Sequence, residues 1–89
     1  MASIKGQAGT LLASGRVAAR LAGWSGRASD GGCDITAFMR ERNEYWLGSR
    51  EFWLELSIGR RRFRWRDVDV ERIGTEELHI VAQGEREDA

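Results

Sequence analysis

"EFWLELSIGRRRFRWRDVDVER", residues 51–72, decides the fold. In its first half Phe52, Leu54, Leu56 and Ile58 fall on one side, and Trp53, Glu55 and Ser57 on the other. A period of two is the pattern of a half-buried strand. Gly59, Arg60 and Arg61 can turn the chain back. In the return strand Phe63 and Trp65 share a face with Arg61, while Arg62, Arg64 and Arg66 share the other. Val68 and Val70 are one residue out of phase with Phe63 and Trp65, so a bulge near Arg66–Asp67 is expected to restore the phase. A turn within 73–77 leads to a further strand over 78–82, with Leu78, Ile80 and Ala82 inward and His79 and Val81 outward. Strands joined by short turns predict an antiparallel meander.

Outward from this stretch, glycines recur along the chain and divide it into short segments, the spacing of a β-rich fold. Residues 10–14 read as a short strand. Residues 16–24 read as a second, with Val17, Ala19 and Leu21 on its inner face. The small, polar, glycine-rich run 25–34 reads as a loop and a candidate contact site. Residues 37–47 break the pattern, because Phe38, Arg42 and Tyr45 recur at helical spacing. Asp34 or Thr36 can cap a helix there and Gly48 can end it. The fold class predicted is mainly β, a small antiparallel β-sandwich or partly open barrel of roughly five to seven strands with one short helix over 37–47. A single domain is expected over 1–84, followed by a frayed, charged tail at 85–89. The predicted core is Leu21, Phe38, Leu54, Leu56, Ile58, Phe63, Trp65, Leu78 and Ile80.

The 89 residues carry 14 basic and 14 acidic side chains, so the net charge is zero. Thirteen of the basic residues are arginine and Lys5 is the only lysine, a bias that a GC-rich coding sequence also produces. The distribution is uneven. Residues 60–66 hold five arginines and no carboxylate, whereas 67–89 hold two arginines against eight carboxylates. Overall neutrality disfavours a dedicated non-specific DNA binder. Cys33 is the only cysteine, which excludes an internal disulfide and suits a reducing compartment. No apolar run reaches the about 18 residues of a membrane span, and the N-terminus lacks the apolar core of a signal peptide.

Arg62, Arg64 and Arg66 admit three readings. They can pair across the sheet with Glu55, Asp69 or Glu71. They can join Trp53 in a protein–protein interface, since Arg and Trp are enriched at such contacts. Or the arginines 60, 61, 62, 64 and 66, that is Arg60, Arg61, Arg62, Arg64 and Arg66, can bind nucleic acid by phosphate pairing and stacking. Cys33 and His79 are each single, and no spacing suggests a zinc site, a phosphate loop or a cofactor. The expected class is therefore a non-enzymatic binding or assembly protein. Trp53 lies opposite the apolar face of its strand and marks a candidate subunit contact. The candidate interface sets Trp53, Arg62, Arg64 and Arg66 against Asp69, Glu71, Glu76 and Glu77, a polar layout that suits head-to-tail association into a ring or tube.

Residues 21–59 hold Trp24-Ser25, then Asp34-Ile35-Thr36-Ala37-Phe38, then Tyr45 and Gly48, then the strand from 52. In this order the stretch resembles tail-tube proteins of long-tailed bacteriophages, and the earlier "GQAGTLL" is similar to their opening strand. The resemblance implies a small virion structural protein, made in the bacterial cytoplasm, whose partners are copies of itself and other virion proteins. The chain is shorter than members of that family and has little room for the long hairpin that builds the tube wall.

Overall fold

The computed structural model describes residues 2–42, 52–84 and 86–88. Nine strands run through them: β1 (Ala2–Gly6), β2 (Gly9–Ala13), β3 (Arg16–Ser29), β4 (Gly32–Arg42), β5 (Phe52–Ile58), β6 (Arg61–Trp65), β7 (Val68–Arg72), β8 (Glu77–Ala82) and β9 (Arg86–Asp88). All pairings are antiparallel, in the order β7-β8-β4-β3-β2-β5-β6-β9, with β1 added to β3. The fold is mainly β, and its sheet curls into an antiparallel half-barrel.

The curl comes from strands that continue through bends. β1 and β2 lie along the same edge of β3, interrupted at Gln7–Ala8. There the Ala8 carbonyl accepts from the Trp24 indole Nε1 at 3.0 Å and from the Ser57 amide at 3.1 Å. β2 turns into β3 through Ser14 and Gly15, both at positive φ (51° and 81°), as a two-residue hairpin turn of matching twist requires. The second bend falls between β6 and β7, opposite the passage from β8 to β9. From Trp65↔Arg86 to Val68↔Ala82 one strand advances three residues and its partner four. Asp67 takes φ 55°, and the amides of Gln83 and Gly84 donate to the carbonyls of Asp67 and Arg66, each at 3.2 Å. A Cβ on Gly84 would stand 2.7 Å from the Arg66 carbonyl oxygen, so only glycine fits this crossing. The bulge expected near Arg66–Asp67 is present and brings Val68 back to the inner face.

The inner face buries Leu11, Leu21, Trp24, Ile35, Leu54, Leu56, Phe63, Trp65, Leu78 and Ile80. Trp65 is fully buried, and its Nε1 donates to the Ser29 carbonyl at 3.3 Å. Thus β6, near one end of the sheet, is tied to the end of β3. Cys33 is buried too, and loss of hydration pushes its thiol up to about 11, with Asp34 adding to the effect and a hydrogen bond involving the Ala82 backbone opposing it.

Several sequence expectations change, beginning with the strand number, which is nine among the described residues rather than five to seven. Residues 37–42 belong to β4 rather than a helix, and 43–47 lie outside the described residues. Cys33, Ile35, Ala37 and Met39 alternate on the inner face, and pairing with both β3 and β8 outweighs the helical spacing of Phe38 and Arg42. Phe38 accordingly points outward, 52% exposed, instead of joining the core. The expected loop 25–34 is instead the tip of the β3–β4 hairpin, with Ser29 paired to Gly32. Arg86–Asp88 of the expected tail pair with Phe63–Trp65 as β9. The meander is also modified, because β7 pairs with β8 while β6 pairs with β5 and β9.

Leu56→Ala empties a site that is fully buried in the core. It should destabilise the fold by about 2–5 kcal/mol in denaturant titrations, whereas Phe38→Ser should change stability by under about 0.5 kcal/mol. For Cys33 the folded pKa lies above the ordinary value of 9.0, so the neutral thiol is the form the fold favours. Its stabilising contribution is complete below pH 9.0 and is lost as pH rises through about 11. A Cys33→Ala chain should therefore lose less stability than the parent over that interval.

Candidate interaction surfaces

Strand alternation places Trp53 and Glu55 on the outer face of β5, facing the outward arginines of β6. Glu55 is directly opposite Arg64 and accepts from its Nη2 at 3.0 Å. Arg62 reaches the same carboxylate at 3.7 Å. The guanidiniums of Arg64 and Arg66 each lie 5.6 Å from the Trp53 ring centroid, within cation–π range. Arg62, Arg64 and Arg66 are thus engaged by two residues of β5. Of the cross-sheet partners expected, Glu55 serves. Asp69 and Glu71 lie on β7, which does not pair with β6.

The remaining arginines of the stretch divide. Arg60 sits exposed in the β5–β6 turn. Arg61 is over the Phe63 ring at 5.1 Å. The five arginines therefore do not form one face.

Two further arginines, absent from the sequence-derived site, meet the strand from the far side. Arg20 of β3 and Arg40 of β4 line a groove of about 640 Å³ with Arg62, Glu55, Thr10 and Ser57. A register shift near Arg20–Gly23 bends the sheet beneath it. Only the sheet order brings these side chains together, and their spacing in sequence carries no such signal.

The acidic candidates lie past the corner on the same hairpin. Asp69 shares a pocket of about 480 Å³ with Trp53, Arg66 and Asp67, so it stands beside the basic arm. Glu71 pairs in register with His79. Glu76 is in the β7–β8 turn, near Arg40, and Glu77 opens β8 opposite Phe38. His79 Nε2 lies 2.7 Å from the Asp34 carboxylate on the outer face, whereas Cys33 faces the core, so the lone cysteine and histidine are not brought together. No helix of the described residues is long and apolar enough to cross a membrane. Comparisons with protein-family models, with curated proteins and with solved structures found no match.

The Arg64–Glu55 contact is partly exposed, the side chains being 38% and 19% accessible. A double-mutant cycle through Arg64→Ala and Glu55→Ala should give a coupling of about 0.2–1 kcal/mol that shrinks as salt is raised. A coupling that ignores salt would mean the pair is held by something other than charge.

Proposed function

We propose that the chain is a non-enzymatic assembly subunit of a bacteriophage particle, tail-tube-like or another small tail, connector or capsid-associated protein, acting through repeated contacts with copies of itself and with other virion proteins. The observation that carries this reading is the division of charge along one bent hairpin. Its first arm presents Arg62, Arg64 and Arg66 beside Trp53, while beyond the corner Glu71, Glu76 and Glu77 follow. Pairing with Glu55 leaves guanidinium N–H groups of Arg62 and Arg64 for a further partner, because arginine carries five donors in a fixed fork. A contact from this arm to the acidic stretch of the next copy is heterologous and builds a ring or a tube. The virion setting is supported by the resemblance of residues 21–59 to tail-tube proteins.

A second reading is favoured by the arginine groove. Arg20, Arg40 and Arg62 converge from three strands, as a surface tracking a phosphate backbone requires. Glu55 within the same groove opposes a polyanion, which places this reading second.

Light scattering and electron microscopy at high protein concentration test the first reading. Rings or tubes are expected. Arg62→Glu and Glu71→Arg chains should each fail to assemble alone and recover when mixed, since opposite charges then meet at every junction. A chain that remains monomeric at every salt concentration and binds an oligonucleotide with steep salt dependence would replace the first reading with the second.

A further inference from the structure

Phe38 is 52% exposed, the large apolar side chain most open to solvent among the described residues. It stands on the outer face of β4, two residues from Arg40, which is exposed on the same face while Met39 between them is buried. At about 3.3 Å per residue the two positions lie about 7 Å apart along the strand. The pairing of β3 with β4 is irregular at this point. Arg20 pairs with Glu41 and Leu21 with Met39, so Arg40 is an extra residue in β4. The next pair is Gly23 with Phe38, so Ala22 is an extra residue in β3. Such bulges bend a strand and re-aim its side chains.

The bulges set two depressions end to end. Along β3, Arg20, Leu21 and Ala22 line the arginine groove, and the next three residues, Gly23, Trp24 and Ser25, line a trough of about 720 Å³. Along β4, Arg40 lines the groove and Phe38 the trough, while Gln7 lines both. The two form one continuous furrow, cationic at one end and aromatic at the other. A Cβ placed on Gly23 would find only the Gly6 carbonyl oxygen, at 3.9 Å, so the missing side chain keeps the trough open.

Charge and shape narrow the occupant. The furrow is lined by four cations, Lys5, Arg20, Arg40 and Arg62, against two carboxylates, Glu55 and Glu77. Glu55 is already bridged by Arg64 at 3.0 Å. Clustered arginine suits a phosphate or carboxylate, which the guanidinium fork meets with two bonds. The exposed ring beside it suits a flat group that can stack. A nucleotide carries both, and its span from base to phosphate matches the step from Phe38 to Arg40. A small-molecule site buries most of its ligand's surface. Here Arg20, Phe38 and Arg40 are all exposed, so the furrow fits a chain laid across it rather than a molecule sealed inside it. The bases of a duplex are covered by their stacked neighbours, and only an unpaired strand can lay one on Phe38.

Building on the arginine groove as a phosphate track, we propose that this furrow binds single-stranded nucleic acid, with one base stacked on Phe38 and the adjoining phosphates held by Arg40, Arg20 and Arg62. Phe38 lies outside the arm that carries the head-to-tail contact, so binding here does not require assembly.

Fluorescence anisotropy with a labelled oligothymidylate of about 10 nucleotides, within the about 4–16 that one small barrel covers, tests this. Binding that weakens as salt is raised is expected, with a duplex of the same length binding less tightly. Phe38→Ser should weaken binding by about 5-fold or more and leave the salt slope unchanged, since stacking releases no counterions. Phe38→Tyr should keep the affinity, because the ring remains. Arg40→Gln should flatten the salt slope by about 0.7, one phosphate contact on a single strand. Salt-dependent binding that ignores Phe38→Ser, or a duplex that binds as tightly as the single strand, overturns the proposal and leaves the groove as a plain phosphate track. Thymidine monophosphate that competes as well as the oligomer also overturns it, in favour of a free nucleotide. No binding of the oligomer at low salt overturns both the proposal and the phosphate track, while rings or tubes of the parent chain would keep the assembly reading intact.

Discussion

Burial of Trp65 at the corner of the last hairpin is the interaction on which the half-barrel depends. Its ring is wholly inside, 6.3 Å from that of Phe63, and its one polar atom is satisfied by the Ser29 carbonyl. A buried indole needs such a partner, since an unmet N–H costs about as much as a lost hydrogen bond. Ser29 ends β3, so one side chain joins strands far apart in the sheet order. For Trp65 and Val68 both to reach the interior, the chain must change phase between them. Asp67 at positive φ and Gly84 against Arg66 are the local forms of that requirement.

Once β6 is pinned from inside, its alternate residues are fixed outside against β5. This is why Glu55 and Trp53 receive three arginines between them. The guanidinium suits both partners, forking onto a carboxylate and stacking over an indole, where an ammonium would do neither as well. Each such contact is worth little at the surface. Their combined effect is to hold an ordered, positively charged strip. An ordered strip loses less side-chain entropy on meeting a partner than mobile lysines would.

Curling also leaves edges. Among the described residues β1 pairs only with β3 and β7 only with β8. β1 carries Lys5, and β7 carries Asp69, Glu71 and Arg72. Charges on edge strands discourage indiscriminate strand addition. Outward side chains, those of the arginine arm among them, are then the surfaces left open to contact.

The sequence by itself determined the strands from 52 to 82, their inner faces and the bulge between Trp65 and Val68, because period-two alternation and a phase slip are local properties of the chain. Leu54, Leu56, Phe63, Trp65, Leu78 and Ile80 are buried as that alternation requires. The outward position of Trp53 was legible for the same reason, and Glu55 was one of three partners, with Asp69 and Glu71, that the pattern offered the arginines. Residues 25–42 were not legible in this way. Cys33, Ile35, Ala37 and Met39 also alternate, but the helical spacing of Phe38, Arg42 and Tyr45 competed with that signal, and the glycines at 26, 31 and 32 before it read as a loop. Only the tertiary structure decided in favour of a strand, since β3 and β8 offer hydrogen-bonding partners on both sides of β4. It also decided that Arg20 and Arg40 join Arg62 around one groove. Such neighbours arise from strand order, which long-range pairing sets and no local pattern encodes.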